Sequence, residues 1–200
     1  SYAKNDVIFV NFSYRLGALG FYADENLASE SPNGTTGMYG FLDQVKALDW
    51  VRANIEKFGG DPDNITIAGE SAGSSSVNAM CTSPLAKGKF KYAISESSSI
   101  TAKNPPHSYI DIKTAIKQGK SLRDELGAKK PKDLRKISAE DIANTNTKYG
   151  TLNAMTNDGY ALLKSPYESY MAGENNEKAL LTGYNKEDGD FFLLLESKTD

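Results

Sequence analysis

The chain has 200 residues, 39% hydrophobic and 24% charged, with a formal net charge of -3. That composition suits a globular domain with a sizeable core, and its mildly acidic balance, with no basic cluster, excludes nucleic acid as an expected partner. The longest apolar run, Phe191-Phe192-Leu193-Leu194-Leu195, falls far short of the ~20 residues of a membrane span, and Cys81, the only cysteine, leaves no internal disulfide to form.

Residues 7–12 are a continuous apolar run with β-branched side chains, which predicts a fully buried strand of a parallel sheet. The paired glycines of Tyr14-Arg15-Leu16-Gly17-Ala18-Leu19-Gly20-Phe21 predict a tight turn. Residues 23–37, rich in Ser, Asn, Gly and Thr, predict a surface loop. From Gly40 to Phe58, the residues Phe41, Leu42, Val45, Leu48, Val51 and Ile55 recur at helical spacing, and Gly59-Gly60-Asp61-Pro62 stops the helix. A short strand at Ile65, Ile67 and Ala68 then runs into Gly69-Glu70-Ser71-Ala72-Gly73. Small residues from Ser74 to Cys81 predict a helix lying close to the sheet, and residues 90–94 another buried strand. Residues 101–150 turn polar and lysine-rich, with helical patches at 115–126 and 131–137, and read as a helical excursion outside the sheet. A final strand at 179–182 leads into Asn185-Lys186-Glu187-Asp188-Gly189. Strands alternating with helices make an α/β fold, a mostly parallel sheet with helices on both faces, in a single domain over residues 1–200.

Gly69-Glu70-Ser71-Ala72-Gly73 fits the Gly-x-Ser-x-Gly pattern, in which the serine stands on a sharp, strained strand-to-helix turn. Glycine on either side suits a place where a Cβ would collide with neighbouring backbone. Such a turn lifts Ser71 above the sheet as a nucleophile and sets the Ala72 N–H to hold a developing oxyanion. The plain alternative is a glycine-rich turn without chemistry. It asks for no strand before and no helix after, whereas both are read here independently.

Several longer stretches then resemble the type B carboxylesterase family, which includes para-nitrobenzyl esterases and cholinesterases. They are Asn11-Phe12-Ser13-Tyr14-Arg15-Leu16-Gly17, Gly40-Phe41-Leu42-Asp43-Gln44 with Ala47-Leu48-Asp49-Trp50-Val51, and Phe58-Gly59-Gly60-Asp61-Pro62-Asp63-Asn64-Ile65-Thr66. Ser83-Pro84-Leu85-Ala86 and Asp158-Gly159-Tyr160 extend the likeness, which is weakest over 101–150. The resemblance implies an α/β-hydrolase fold and a serine, acid and histidine in that chain order. It places the serine at Ser71 and the acid at Asp188, where the family usually carries glutamate. Glu187 is the alternative acid, and Glu70 is either an electrostatic support beside the serine or a plain structural residue. It also implies two-step cleavage of a small-molecule carboxylic ester, with no metal and no organic cofactor.

Two expected parts are missing. No histidine follows Asp188, and His107, the only histidine, matches no catalytic position. The glycine-rich loop that completes the oxyanion hole is expected before residue 7. The chain therefore reads as an internal piece, truncated at both ends, with its compartment open. Asp61-Pro62-Asp63-Asn64 reads as a turn rather than a calcium loop, and Cys81 as inert packing. Of three glycosylation patterns, those at Asn11 and Asn64 fall in predicted strands and the third is at Asn33. Two rival readings remain: a non-catalytic cholinesterase-like interaction domain, and an amide or lactone hydrolase on the same fold.

Overall fold

The computed structural model describes residues 2–105, 108–149 and 154–189. Along the chain it has α1 (Gly17–Phe21), α2 (Glu25–Glu30), α3 (Tyr39–Asn54), β1 (Thr66–Glu70), α4 (Ala72–Thr82), β2 (Tyr92–Glu96) and β3 (Tyr109–Ile110). There follow α5 (Ile112–Glu125), α6 (Pro131–Leu134), α7 (Ala139–Tyr149), β4 (Met155–Thr156), α8 (Pro166–Met171) and β5 (Ala179–Gly183).

The main sheet runs β1-β2-β5, both pairs parallel. Its register aligns Ile67, Ala93 and Leu180 in one row and Glu70, Glu96 and Gly183 at the carboxyl ends. On one face Ala93 and Ser95 are buried, and Ile67 and Leu180 join a core with Val77, Met80 and Cys81 of α4 and Phe41, Val45 and Leu48 of α3. The other face stays exposed at Ala68, Tyr92 and Leu181. Among the described residues the helical cover expected on both faces is therefore present on one.

α3 follows its predicted spacing. Phe41, Val45 and Leu48 turn inward while Trp50 stays exposed, and the helix passes into a 3-10 turn at Ile55–Phe58. The stop is Gly59, at φ 84°, a left-handed position that glycine takes without penalty. The strands expected at 65–68, 90–94 and 179–182 appear as β1, β2 and β5, shifted by at most two residues at either end.

Residues 7–12 do not form the expected strand. They carry no strand pairing, and Val7, Ile8, Phe9, Val10 and Phe12 are all exposed. An apolar run becomes a strand only where another strand takes its N–H and C=O groups, and none lies alongside it among the described residues. The turn expected at Gly17 and Gly20 is the short helix α1, and the loop expected over 23–37 contains α2 and the buried residues Asp24 and Thr36.

Among the described residues between 101 and 149 stand α5, α6 and α7, and they pack against α1 and α2. Leu122 packs with Ala18 and Tyr22, and Leu27, Leu126, Leu134 and Ile142 close around them. Arg123 of α5 forms a buried ion pair with Asp24, the residue that caps α2, and Tyr22 donates its hydroxyl to the same carboxylate. Both charges of the pair are withdrawn from water, so each depends on the other. Among the described residues no helix is long and apolar enough to cross a membrane. Asn64 lies exposed in the turn before β1, not in a strand, and its N–H donates to the Asp61 carbonyl at 3.1 Å.

Candidate active site

β1 ends at Glu70 and α4 begins at Ala72, so Ser71 alone makes the turn between them. Its backbone lies at φ 55° and ψ -114°. A side-chain-bearing residue held there costs on the order of 1–3 kcal/mol and persists only where its surroundings enforce it. Two backbone bonds do so: Ser71 N–H donates to the Glu96 carbonyl at 2.9 Å, and the Ser71 carbonyl accepts from Ser75 N–H at 3.0 Å. The side chain is exposed and makes no capping bond to the helix.

The Ala72 N–H lies in the first turn of α4, where backbone N–H groups have no intrahelical acceptor and the helix end carries partial positive charge. A negative oxygen formed on a group attacked by Ser71 would meet that end. The flanking glycines are not equivalent. A Cβ on Gly69 would lie 2.3 Å from the Gly73 carbonyl carbon and 2.4 Å from its oxygen, so the strand and helix backbones cross here in contact. A Cβ on Gly73 would meet nothing within 4 Å among the described residues, so the collision expected on both sides exists on one. Glu70, the last residue of β1, is exposed and lies beside Glu96 in register.

Asp188 sits in the turn after β5, at the same carboxyl end of the sheet as Ser71. The Ser97 hydroxyl, and then the backbone N–H of Asn185 at 3.2 Å, hold its carboxyl below the usual carboxylate range. Stabilisation from such a depressed group is present above the ordinary carboxylate pKa and is lost as pH falls through the depressed one. Glu187 is exposed in the same turn. Ser97 has φ 59°, and its N–H donates to the Gly183 carbonyl at 2.8 Å. Sequence reasoning passed over Ser97, although a serine run directly after a buried strand was a signal for it. His107 lies outside the described residues. Cys81 is fully buried, and burial, with the Glu177 carboxyl beside it, pushes its thiol well above the ordinary range. Asp63 N–H donates to Asp61 Oδ1 at 2.8 Å, the local bond of an aspartate-led turn. A cavity of about 720 Å³ opens between α1, α2 and α5–α7, walled by Leu19, Leu27, Leu122 and Leu134, and reaches none of the elbow residues.

A parallel sheet packed against helices, with a strained serine at the head of the helix that follows β1, fits an α/β-hydrolase fold. Over residues 2–200 the chain matches the model described as the carboxylesterase family, and it belongs to that family. It is 34% identical over 195 residues to the fumonisin B1 esterase of Sphingopyxis macrogoltabida, covering 95% of this chain and 35% of that protein. Cholinesterase 1 of Branchiostoma lanceolatum is also 34% identical, over 94% of this chain and 56% of its own length. In solved structures, a carboxylesterase of Geobacillus stearothermophilus superposes with a TM-score of 0.81 at 31% identity, over 93% of this chain and 38% of that one. The chain thus spans between about a third and just over half the length of these three relatives.

Proposed function

We propose that the full-length protein is a serine hydrolase that cleaves small-molecule carboxylic esters through an acyl-enzyme, with Ser71 as nucleophile. The reading rests on one observation above the others, an exposed serine held at φ 55° at the first turn of a helix. In this scheme Ser71 Oγ attacks the ester carbonyl and its proton passes to a histidine that residues 189–200 do not contain. Asp188 orients that imidazole, and the Ala72 N–H, with donors from beyond this chain, stabilises the tetrahedral oxyanion. The alcohol departs with the proton from the histidine, and water then releases the acid by the same steps in reverse. The names of the relatives, an esterase and a cholinesterase among them, support ester cleavage as the class of reaction.

The rival non-catalytic reading has no use for the strain at Ser71 or for the missing Cβ at Gly69. The deciding experiment is Ser71→Ala in the full-length protein, assayed on a short-chain nitrophenyl ester. Turnover is expected to fall by about 10⁴-fold or more, since only binding and oxyanion contacts remain. Activity within tenfold of the unmutated protein would overturn the assignment. A panel of esters, amides and lactones then separates ester cleavage from the other chemistries of the fold.

A further inference from the structure

α4 is crossed by a chain of four polar side chains, three buried and Tyr170 half-buried, that the proposed chemistry does not use. Ser74, Ser95 and Asn78 are each at most 3% exposed. The Ser74 and Ser95 hydroxyl oxygens are 2.7 Å apart. The Asn78 side-chain amide donates to Ser95 Oγ at 2.7 Å and to the Ser74 carbonyl at 2.9 Å, while its Oδ1 accepts from the Tyr170 hydroxyl of α8 at 3.1 Å. Burial, with the neighbouring Cys81 and Glu177 adding to it, pushes the Tyr170 phenol far up, so it remains a donor. Tyr170 O–H gives to Asn78, Asn78 N–H gives to Ser95, and Ser95 and Ser74 share the last bond, in which either hydroxyl can donate.

Polar groups buried this deeply are costly unless each is bonded, and a fully satisfied set fixes one geometry more sharply than apolar packing does. The location gives that rigidity a use. Ser95 stands opposite Gly69 in the strand register, at the level where the β1 backbone and the first turn of α4 touch. The next residue, Glu96, supplies the carbonyl that accepts the Ser71 N–H. Ser74 lies in the first turn of the helix that Ser71 leads into. Tyr170 ties α4 to a third element, α8.

We propose that Asn78, with Ser74, Ser95 and Tyr170, forms a positioning network that locks α4 against β2 and so keeps Ser71 in its strained, reactive conformation. The proposal rests on the reading of Ser71 as nucleophile. It assigns these residues no contact with substrate; they act through the backbone of the elbow. The far end of α4 provides an internal control. There Ser83 is also buried and donates to the Ala161 carbonyl at 2.6 Å, but it sits beyond the last residue of the helix.

The test compares Asn78→Ala, Ser95→Ala, Tyr170→Phe and Ser83→Ala in the full-length protein, measuring kcat, KM and the thermal midpoint. Asn78→Ala is expected to lower kcat about 100-fold with KM within about threefold, the signature of a misplaced reacting group rather than lost binding. Tyr170→Phe, which removes one hydroxyl without changing shape, is expected to lower kcat about threefold in the same pattern. Ser83→Ala is expected to lower the thermal midpoint yet keep kcat. If Asn78→Ala does not fold, Ser95→Ala and Tyr170→Phe decide by the same split. Native kcat in the network variants that fold overturns the proposal, as does a Ser83→Ala variant that loses kcat as Asn78→Ala does. Ser71→Ala measured alongside keeps the two failures apart. Turnover that survives it fails the nucleophile reading, whereas its loss together with native kcat in Asn78→Ala fails only the network.

Discussion

Two serines of this sheet make nearly the same turn. Ser71 follows the last residue of β1 at φ 55°, and Ser97 follows the last residue of β2 at φ 59°. Each donates its N–H to the final carbonyl of the neighbouring strand, Ser71 to Glu96 and Ser97 to Gly183. What differs is what comes next. Ser71 opens directly into α4, with an exposed hydroxyl and the positive end of a helix behind it. Ser97 opens into a polar loop, and its hydroxyl helps to hold the Asp188 carboxyl below the usual carboxylate range. Left-handed strain at a strand end thus does not by itself mark a nucleophile. An exposed hydroxyl and a helix N-terminus set Ser71 apart from Ser97.

That division of labour can be pressed from several sides. The largest effect is expected at Asp188: in the proposed mechanism Asp188→Asn removes the charge that orients the base and should lower turnover about 10⁴-fold. Glu187→Gln should change it only a few-fold, as Asp188 is the proposed acid. Reversed effects would mean the wrong carboxylate had been chosen. Next comes the backbone crossing beneath Ser71. Gly69→Ala forces a Cβ against Gly73 and should cost on the order of 3 kcal/mol of unfolding free energy. Gly73→Ala meets open space and should stay within about 1 kcal/mol. Chemical denaturation of the two variants checks this, and equal losses would refute the asymmetry.

A smaller effect is expected from Ser97→Ala. It should lower kcat about tenfold, because Asp188 keeps its charge and loses one hydrogen bond. The same substitution lets the Asp188 pKa rise toward its ordinary value. The stability gap between the unmutated protein and Ser97→Ala should therefore be full at neutral pH and close as pH falls through the depressed pKa of Asp188. Thermal midpoints measured from pH 7 down to the acid limit of folding test the sign, and a gap that widens in acid would contradict it.

How much of this was legible in the sequence differs from element to element. α3, β1, α4, β2 and β5 carried their own signals, either apolar spacing or an apolar run between breakers, and each also found its packing partners. Residues 7–12 carried as strong a strand signal as β2, but a signal of period and propensity says nothing about whether a neighbouring strand is at hand. α1 and α2 were hidden because their residues, glycine-rich in one case and Ser/Asn-rich in the other, have turn-like propensities. What makes them helical is packing against Leu122 and the buried bond between Asp24 and Arg123, contacts 99 residues apart in sequence for the ion pair. At the candidate site, Gly69, Ser71 and Gly73 were legible as a motif, yet only geometry separated the roles of the two glycines. Asp188 came from family likeness. Ser97 stood in a serine run after β2, whereas Asn78 and Tyr170 gave no local pattern, because their partners are set by the register of β1 on β2 and by the docking of α8.

Whether Ser71 is the serine that reacts is measured most directly by covalent labelling. The full-length protein is treated with a fluorophosphonate ester, digested and mapped by mass spectrometry. A single adduct on the peptide containing Ser71, with none on the peptide containing Ser97, is the predicted result. An adduct at Ser97 or at any other residue while Ser71 stays unmodified would contradict the account.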